Sequence, residues 1–354
     1  MMIDKRENPH RKPRPEEAAL GFGQFTTDHM FCMNHTRELG WQEPRIVPYG
    51  DLHLDPAAMV LHYNQEVFEG LKAYALPEDR IGLFRPRMNI ARMNRSARRM
   101  VMPEIAEADF LQAMRELILL DRDWVPKAPG TSLYIRPTMI ATEAALGVRP
   151  AREYLFFIIL SPVGAYYPQG FNPTRIFVSD DYVRAVQGGS GEAKTSGNYG
   201  PTLYVSKEAT ARGYAQVLWL DGKENRYVEE VGTSNIFFLI SGELITPPLD
   251  GTILPGITRD SVLELARSWG LRVVERPVSI EEIIKGCRDG SLQEAFASGT
   301  AAVISPVGEI GYQGTDYQVN KGETGELARK LYDEITGIQY GHRPDPFGWR
   351  YLLT

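Results

Sequence analysis

The chain has 354 residues, of which 43% are hydrophobic and 24% charged, with a formal net charge of −6 at pH 7. That length suggests two domains or one large one, with enough apolar material for a substantial core. The mild acidity argues against nucleic acid as a partner, even though Arg85 to Arg99 is rich in arginine. Two cysteines far apart, Cys32 and Cys287, with no CxxC pair, indicate neither a metal site nor a disulfide framework. The longest apolar run, around Leu155 to Leu160, is far too short to span a bilayer. The opening residues lack the apolar core of a signal peptide. A cytoplasmic protein with no membrane partner is therefore expected.

Residues 1–17 are charged and proline-rich, which predicts a flexible arm. A small α/β domain is expected over 18–165. It opens with short strands and turns at Phe22 to Met33 and Arg45 to Leu54. Leu71 to Ala75 and Ile81 to Phe84 read as strands joined by the turn Pro77-Glu78-Asp79. Met88 to Met100 and Glu104 to Leu120 carry apolar residues at helical spacing. Ser132 to Ala141 and Tyr154 to Val163 read as strands, the second apolar on both faces and so buried. Proline, glycine and aromatic residues then crowd Ser161 to Thr174, and an interdomain linker is placed over 166–178. The larger domain, 179–354, mixes strands at Gln216 to Leu220, Asn235 to Ile240 and Glu243 to Thr246 with helices at Ile257 to Ser268 and Gly325 to Ile335. This irregular alternation gives an α+β, or mixed α/β, class.

The stretch from Gly188 to Pro201, GGSGEAKTSGNYGP, holds one lysine, Lys194, flanked by glycines. Glycines let backbone approach a ligand closely. A lysine stripped of water there loses basicity and becomes a nucleophilic amine able to form Schiff bases. Three other readings compete: a surface turn with a solvated lysine, a phosphate loop, and a dinucleotide loop. Ala193 breaks the GxxxxGK[ST] pattern of the phosphate loop, and no GxGxxG follows a strand here.

Schiff-base chemistry on pyridoxal phosphate also needs an acid facing the pyridine nitrogen and donors for a phosphate. Glu230 heads a strand-like segment that runs into buried apolar residues and suits the first need. Pro255-Gly256-Ile257-Thr258 opens a helical pattern with unpaired backbone N–H groups, where an anion fits. Ser298-Gly299-Thr300-Ala301-Ala302 supplies a second loop of small residues. Taken singly, these are a solvated strand edge, a plain helix start and a tight turn. Their order and spacing carry the argument.

On these residues the chain resembles the fold-type-IV pyridoxal-phosphate enzymes, and among them the branched-chain amino-acid aminotransferases. Glu230 to Arg259 matches the class-IV aminotransferase signature. VFEGLKAY (Val67 to Tyr74), LFRPRMNIARM (Leu83 to Met93), SLYIRP (Ser132 to Pro137), SPVGAYYP and the GNYGP after Lys194 resemble the branched-chain enzymes in particular. The resemblance runs from about Phe22 to the C-terminus. It implies a small N-terminal domain, a larger cofactor-binding domain and a homodimer. The implied activity is transamination of L-leucine, L-isoleucine and L-valine with 2-oxoglutarate by a ping-pong route. Lys194 resembles the Schiff-base lysine and proton carrier, Tyr199 the partner of the ring oxygen, and Glu230 the partner of the ring nitrogen. Arg92, Ile257, Thr258 and Thr300 resemble the phosphate binders. Thr300, Ala301 and Ala302 also resemble the loop that meets the substrate α-carboxylate, with Thr233 and Tyr63 nearby. Phe22, Phe68, Tyr134 and Tyr166 resemble the walls of the side-chain pocket. Leu146 and Val148 resemble a loop reaching the neighbouring subunit's pocket, and the resemblance implies that Tyr63 acts at the same interface. Arg136 resembles the arginine that meets the distal carboxylate of glutamate.

Two departures stand out. Ser196 occupies a position where the family often has glycine. Ala302 and Ser305 stand where animal members carry a CxxC pair, which implies that this chain lacks their thiol switch. D-amino-acid aminotransferases, 4-aminobenzoate-forming lyases and amine transaminases share the scaffold and remain alternatives. From another class, so does a nucleotide-binding protein using Gly188 to Thr195.

Overall fold

The computed structural model describes residues 1–166 and 171–353. The chain forms two compact units. The first comprises Met1–Pro168, Ala193–Ser196 and Gly337–Thr354, the second Gln169–Glu192 and Gly197–Thr336.

The first unit is a mostly antiparallel sheet backed by helices. Its strands are β1 (Asp4–Lys5), β2 (His29–Thr36), β3 (Gly40–Pro48), β4 (Glu66–Phe68), β5 (Leu71–Leu76), β6 (Arg80–Phe84), β7 (Ser132–Ala141) and β8 (Glu153–Val163). They lie in the order β1-β3-β2-β8-β7-β5-β6. The C-terminal strand Arg350–Leu352 pairs beside β6, and β4 pairs with β7. Helix α1 (Met59–Tyr63) is short. Helices α2 (Pro86–Arg99) and α3 (Glu107–Leu120) each carry an apolar stripe. Ile90, Met93 and Ala97 of α2 join Phe110, Met114, Leu117 and Ile118 of α3 in a core with Phe31, Leu133 and Phe156 of the sheet. Burial of each such large side chain contributes roughly 1.5–3 kcal/mol. α3 starts three residues later than its periodicity suggests. Ala106, at φ −58° and ψ 136°, is its N-cap and holds non-helical backbone there.

The N-terminal residues correct one expectation. Segment 1–17 is not a loose arm but is tied to the first unit. The Met1 ammonium donates to Asp109 and Gln112, β1 pairs in parallel with β3, and the Asn8 N–H donates to His29 Nε2 at 2.8 Å. The Glu17 carboxylate accepts the N–H of Lys127. Composition alone hid these partners, because they lie about 20 to 110 residues away in sequence.

The second unit contains β9 (Thr174–Ser179), β10 (Gln216–Leu220), β11 (Val228–Val231), β12 (Ser234–Ile240), β13 (Glu243–Thr246), β14 (Arg272–Glu275), β15 (Leu292–Gly299), β16 (Val303–Tyr312) and β17 (Thr315–Gln318). The path β11-β10-β9-β16-β15-β12 closes on itself, because β11 also pairs with β12. Closing a sheet into a ring removes exposed edges and turns alternate side chains inward. β13 and β14 continue beyond β12, and β17 pairs with β16. Helices α4 (Thr202–Ala211), α5 (Ile257–Ser268) and α6 (Ile280–Asp289) connect the strands, and α7 (Glu326–Gln339) follows β17. α4 bridges the parallel pair β9–β10, and α5 bridges the parallel pair β13–β14.

The domain boundaries also differ from those expected. Thr174–Ser179, placed in the linker, is β9, while residues 167–170 lie outside the described residues. Residues 337–354 cluster with the first unit rather than the second, because a strand near the C-terminus completes the first sheet. Lys194 does too, although it falls within the span expected for the larger domain. Among the described residues no helix is long and apolar enough to cross a membrane.

Candidate active site

Helix α2 places three polar side chains, Asn89, Arg92 and Ser96, at successive turns beside its apolar stripe, and all three are buried. The spacing of three and four residues puts them on one face. Asn89 and Arg92 converge on Glu69, which joins β4 to β5 and is fully buried, while Ser96 Oγ donates to the Arg92 carbonyl. Glu69 Oε1 accepts from Arg92 Nε at 2.7 Å, and Oε2 accepts from Arg92 Nη2 at 2.9 Å. Oε2 also accepts from Asn89 Nδ2 at 2.8 Å and from the Gly70 N–H at 3.1 Å. This two-pronged pairing fixes the guanidinium plane. Burial alone pushes the Glu69 carboxyl up, but Arg92, Lys194 and Asn89 together hold it below the ordinary glutamate value.

Lys194 is clamped by its backbone. Its N–H donates to Ser96 Oγ at 2.9 Å, and its carbonyl accepts the Phe68 N–H at 3.1 Å. Its Nζ stands 4.7 Å from the centre of the Phe68 ring. Burial first, with Arg92 and Arg136 adding to it and Glu69 and Tyr134 opposing, brings the amine down to about 8. A base with that affinity exchanges protons readily near neutral pH.

The Arg136 guanidinium lies 4.8 Å from the same Phe68 ring and 5.3 Å from the Tyr134 ring, and it donates to the Tyr134 hydroxyl at 2.8 Å. Its Nε is buried and finds no hydrogen-bond partner among the described residues. Tyr134 owes its position to Gly70, where a Cβ would lie 2.1 Å from the tyrosine oxygen. Phe22 packs edge-on against Tyr134 with centroids 4.9 Å apart. The first unit thus brings together Lys194, Arg92, Phe68, Tyr134, Arg136 and Phe22. Tyr63 donates instead to the Leu146 carbonyl, and Leu146 and Val148 are highly exposed. Tyr166, also exposed, closes the described part of this stretch.

In the second unit Glu230 is buried on β11, with Asn235 of β12 opposite in register. Glu230 Oε1 accepts from Asn235 Nδ2 at 3.1 Å and from the Leu254 N–H at 3.0 Å. Arg184 Nε lies 3.1 Å from Oε2, within ion-pair range but not aligned as a hydrogen bond. The neighbouring Glu229 is pushed up to about 7, chiefly by burial. α5 starts at Ile257 and Thr258 after Gly256, with no side chain capping it, so its first N–H groups face outward as donors. Thr233 is exposed at the β11–β12 turn. Thr300, Ala301 and Ala302 join β15 to β16 and end at Val303, whose φ of 64° is unusual for a β-branched residue. The Ser298 hydroxyl is buried without a partner among the described residues. Tyr199 follows a turn braced by Asn198, whose amide donates to the Ser190 carbonyl at 2.7 Å.

The nucleotide-loop alternative fails on local structure. Gly188 to Thr195 does not open a helix: a single turn, Ser196–Asn198, follows it, and α4 begins only at Thr202. A phosphate loop needs its lysine at the start of a helix. Sequence reasoning missed Glu69, Asn89, Ser96, Arg184 and Asn235. A polar series at helical spacing beside an apolar stripe was the signal available for α2.

Comparison with known proteins gives the family. Residues 66–310 match the family model for amino-transferase class IV. The chain is 54% identical over 339 residues to branched-chain-amino-acid aminotransferase 2 of Bacillus subtilis (strain 168), covering 96% of this chain and 93% of the relative. The branched-chain aminotransferase of the thermophilic archaeon Thermoproteus uzoniensis, solved with norvaline, superimposes with a TM-score of 0.76 at 27% identity, over 92% of this chain and 100% of the other. The Thermobaculum terrenum branched-chain amino acid aminotransferase in its pyridoxal-phosphate form gives 0.75 at 25% identity, over 94% and 100%. The chain belongs to the class IV amino-transferases and, within them, to the branched-chain-amino-acid aminotransferases.

Proposed function

We propose that this chain catalyses pyridoxal-phosphate-dependent transamination of L-leucine, L-isoleucine and L-valine with 2-oxoglutarate, giving the branched-chain 2-oxo acids and L-glutamate. The observation that carries this reading is the buried Lys194 amine, lowered to about 8 between Arg92, Arg136 and Glu69. The residues fit the cofactor: Ser298 Oγ is buried without a partner among the described residues, and α5 starts uncapped after Gly256. Bound pyridoxal phosphate supplies an aldehyde that takes the amino group and a ring that accepts electrons.

The chain's own groups do the rest. Lys194 Nζ holds the cofactor between turnovers and, once released, carries the proton taken from the substrate Cα. Glu230, which accepts from two N–H donors and has Arg184 nearby, faces the ring nitrogen. Tyr199 partners the ring oxygen. Arg92, Ile257, Thr258 and Thr300 hold the phosphate. Thr233, Ala301 and Ala302 meet the α-carboxylate. Phe22, Phe68, Tyr134 and Tyr166 form apolar walls suited to aliphatic side chains. Such walls separate leucine, isoleucine and valine poorly, since one methylene is worth about 1–3 kcal/mol. The exposure of Leu146 and Val148, with Tyr63 bonded to the Leu146 carbonyl, supports a homodimer in which this loop reaches the neighbouring subunit.

Arg136 gives the sharpest test of substrate choice. An apolar pocket rejects a carboxylate unless a donor meets it. The Arg136 Nε, lacking a partner among the described residues, is such a donor. Replacing Arg136→Leu is expected to lower kcat/KM for 2-oxoglutarate by about 10²-fold, the loss of one to two charged hydrogen bonds. The half-reaction with L-leucine should stay within a few-fold. Separate half-reaction rates, followed by absorbance, check this; equal losses in both would remove Arg136 from the carboxylate site.

A further inference from the structure

Asn235 is buried in the β11–β12 hairpin. Its Nδ2 carries two hydrogens and uses both. One goes to Glu230 Oε1 at 3.1 Å, and the other to the Leu254 carbonyl at 2.9 Å. The Leu254 N–H returns a bond to the same Oε1 at 3.0 Å. Carboxylate, amide and loop backbone therefore close a ring of three hydrogen bonds. The other end of the Asn235 amide touches the start of α5: a Cβ on Gly256 would lie 1.9 Å from Asn235 Oδ1. One side chain thus contacts both the Glu230 carboxylate and the last residue before the helix.

We propose that Asn235 is a positioning residue that locks the Glu230 carboxylate to the Leu254–Gly256 loop. It thereby sets the spacing between the acceptor for the cofactor's ring nitrogen and the backbone donors for its phosphate. This rests on the pyridoxal-phosphate reading above. Ring and phosphate are joined covalently, so a site that anchors both tolerates little change in that spacing. Inorganic phosphate meets no such demand, because it needs only the helix start.

Aspartate has the shape of asparagine but no N–H. Asn235→Asp turns both donated bonds into oxygen–oxygen contacts, one with a carboxylate and one with a carbonyl. A role in packing alone would survive that exchange. The experiment titrates apo-protein, wild type and N235D, with pyridoxal phosphate by absorbance and with inorganic phosphate by calorimetry. Circular dichroism checks the fold. The expected result is a loss of at least about tenfold in affinity for pyridoxal phosphate, with inorganic phosphate affinity within about twofold of wild type. Asn235→Ser, which keeps one donor, should fall between, and it serves the same test if N235D does not fold. Wild-type affinity for pyridoxal phosphate in the variant, or equal losses for both ligands, overturns the proposal. A wild-type protein that binds no pyridoxal phosphate would overturn the underlying reading instead.

Discussion

Replacing Lys194→Ala is expected to lower kcat for transamination of L-leucine by about 10⁴-fold, the upper end of what a positioned proton carrier supplies. The amine is suited to that task by its surroundings rather than by its residue type. Ordinary lysine, near 10.4, is almost wholly protonated at neutral pH. Here burial comes first and two guanidinium groups follow in bringing the amine to about 8. The alanine variant should fold, because the backbone clamp to Ser96 and Phe68 uses only main-chain atoms of residue 194. Steady-state kinetics with a thermal melt provide the check. A folded variant retaining more than about a tenth of wild-type kcat would exclude Lys194 as the proton carrier.

The second large effect concerns stability. Glu69→Ala leaves the Arg92 guanidinium buried without its counter-ion, and loss of one partner of a buried pair costs about 3–5 kcal/mol. The sign of its pH dependence follows from the direction of the Glu69 shift. The folded-state value lies below the unfolded one, because Arg92, Lys194 and Asn89 outweigh burial. The stabilisation from Glu69 is therefore complete above about pH 4.3, the ordinary glutamate value, and fades as pH falls towards the folded value. Denaturant melts of wild type and variant at neutral pH should differ by that amount, and the gap should narrow below about pH 4. A gap that widened on acidification would mean that Glu69 is protonated in the native protein.

Much of this architecture was legible in the sequence, for identifiable reasons. Ser132–Ala141, Gln216–Leu220, Glu243–Thr246 and Ile257–Ser268 are found where period and length placed them. Lys194 and Glu230 were legible because glycine-rich turns and a matched segment surround them. Glu69 was not, since its partner Arg92 lies 23 positions away and only the packing of α2 on β4 brings them together. Asn235 was hidden differently. It lay inside the matched segment, yet its task depends on hairpin register and on a loop 19 residues further on. The N-terminal segment was misread because charge and proline content describe how a segment behaves alone. Its order comes from acceptors on α3 and β2.

The most direct measurement is the absorbance spectrum of the purified protein after incubation with pyridoxal phosphate and removal of the excess, before and after addition of L-leucine. The account predicts a retained visible band that changes when L-leucine is added and returns with 2-oxoglutarate. Protein that stays colourless after incubation, or a retained band that neither substrate alters, would contradict it.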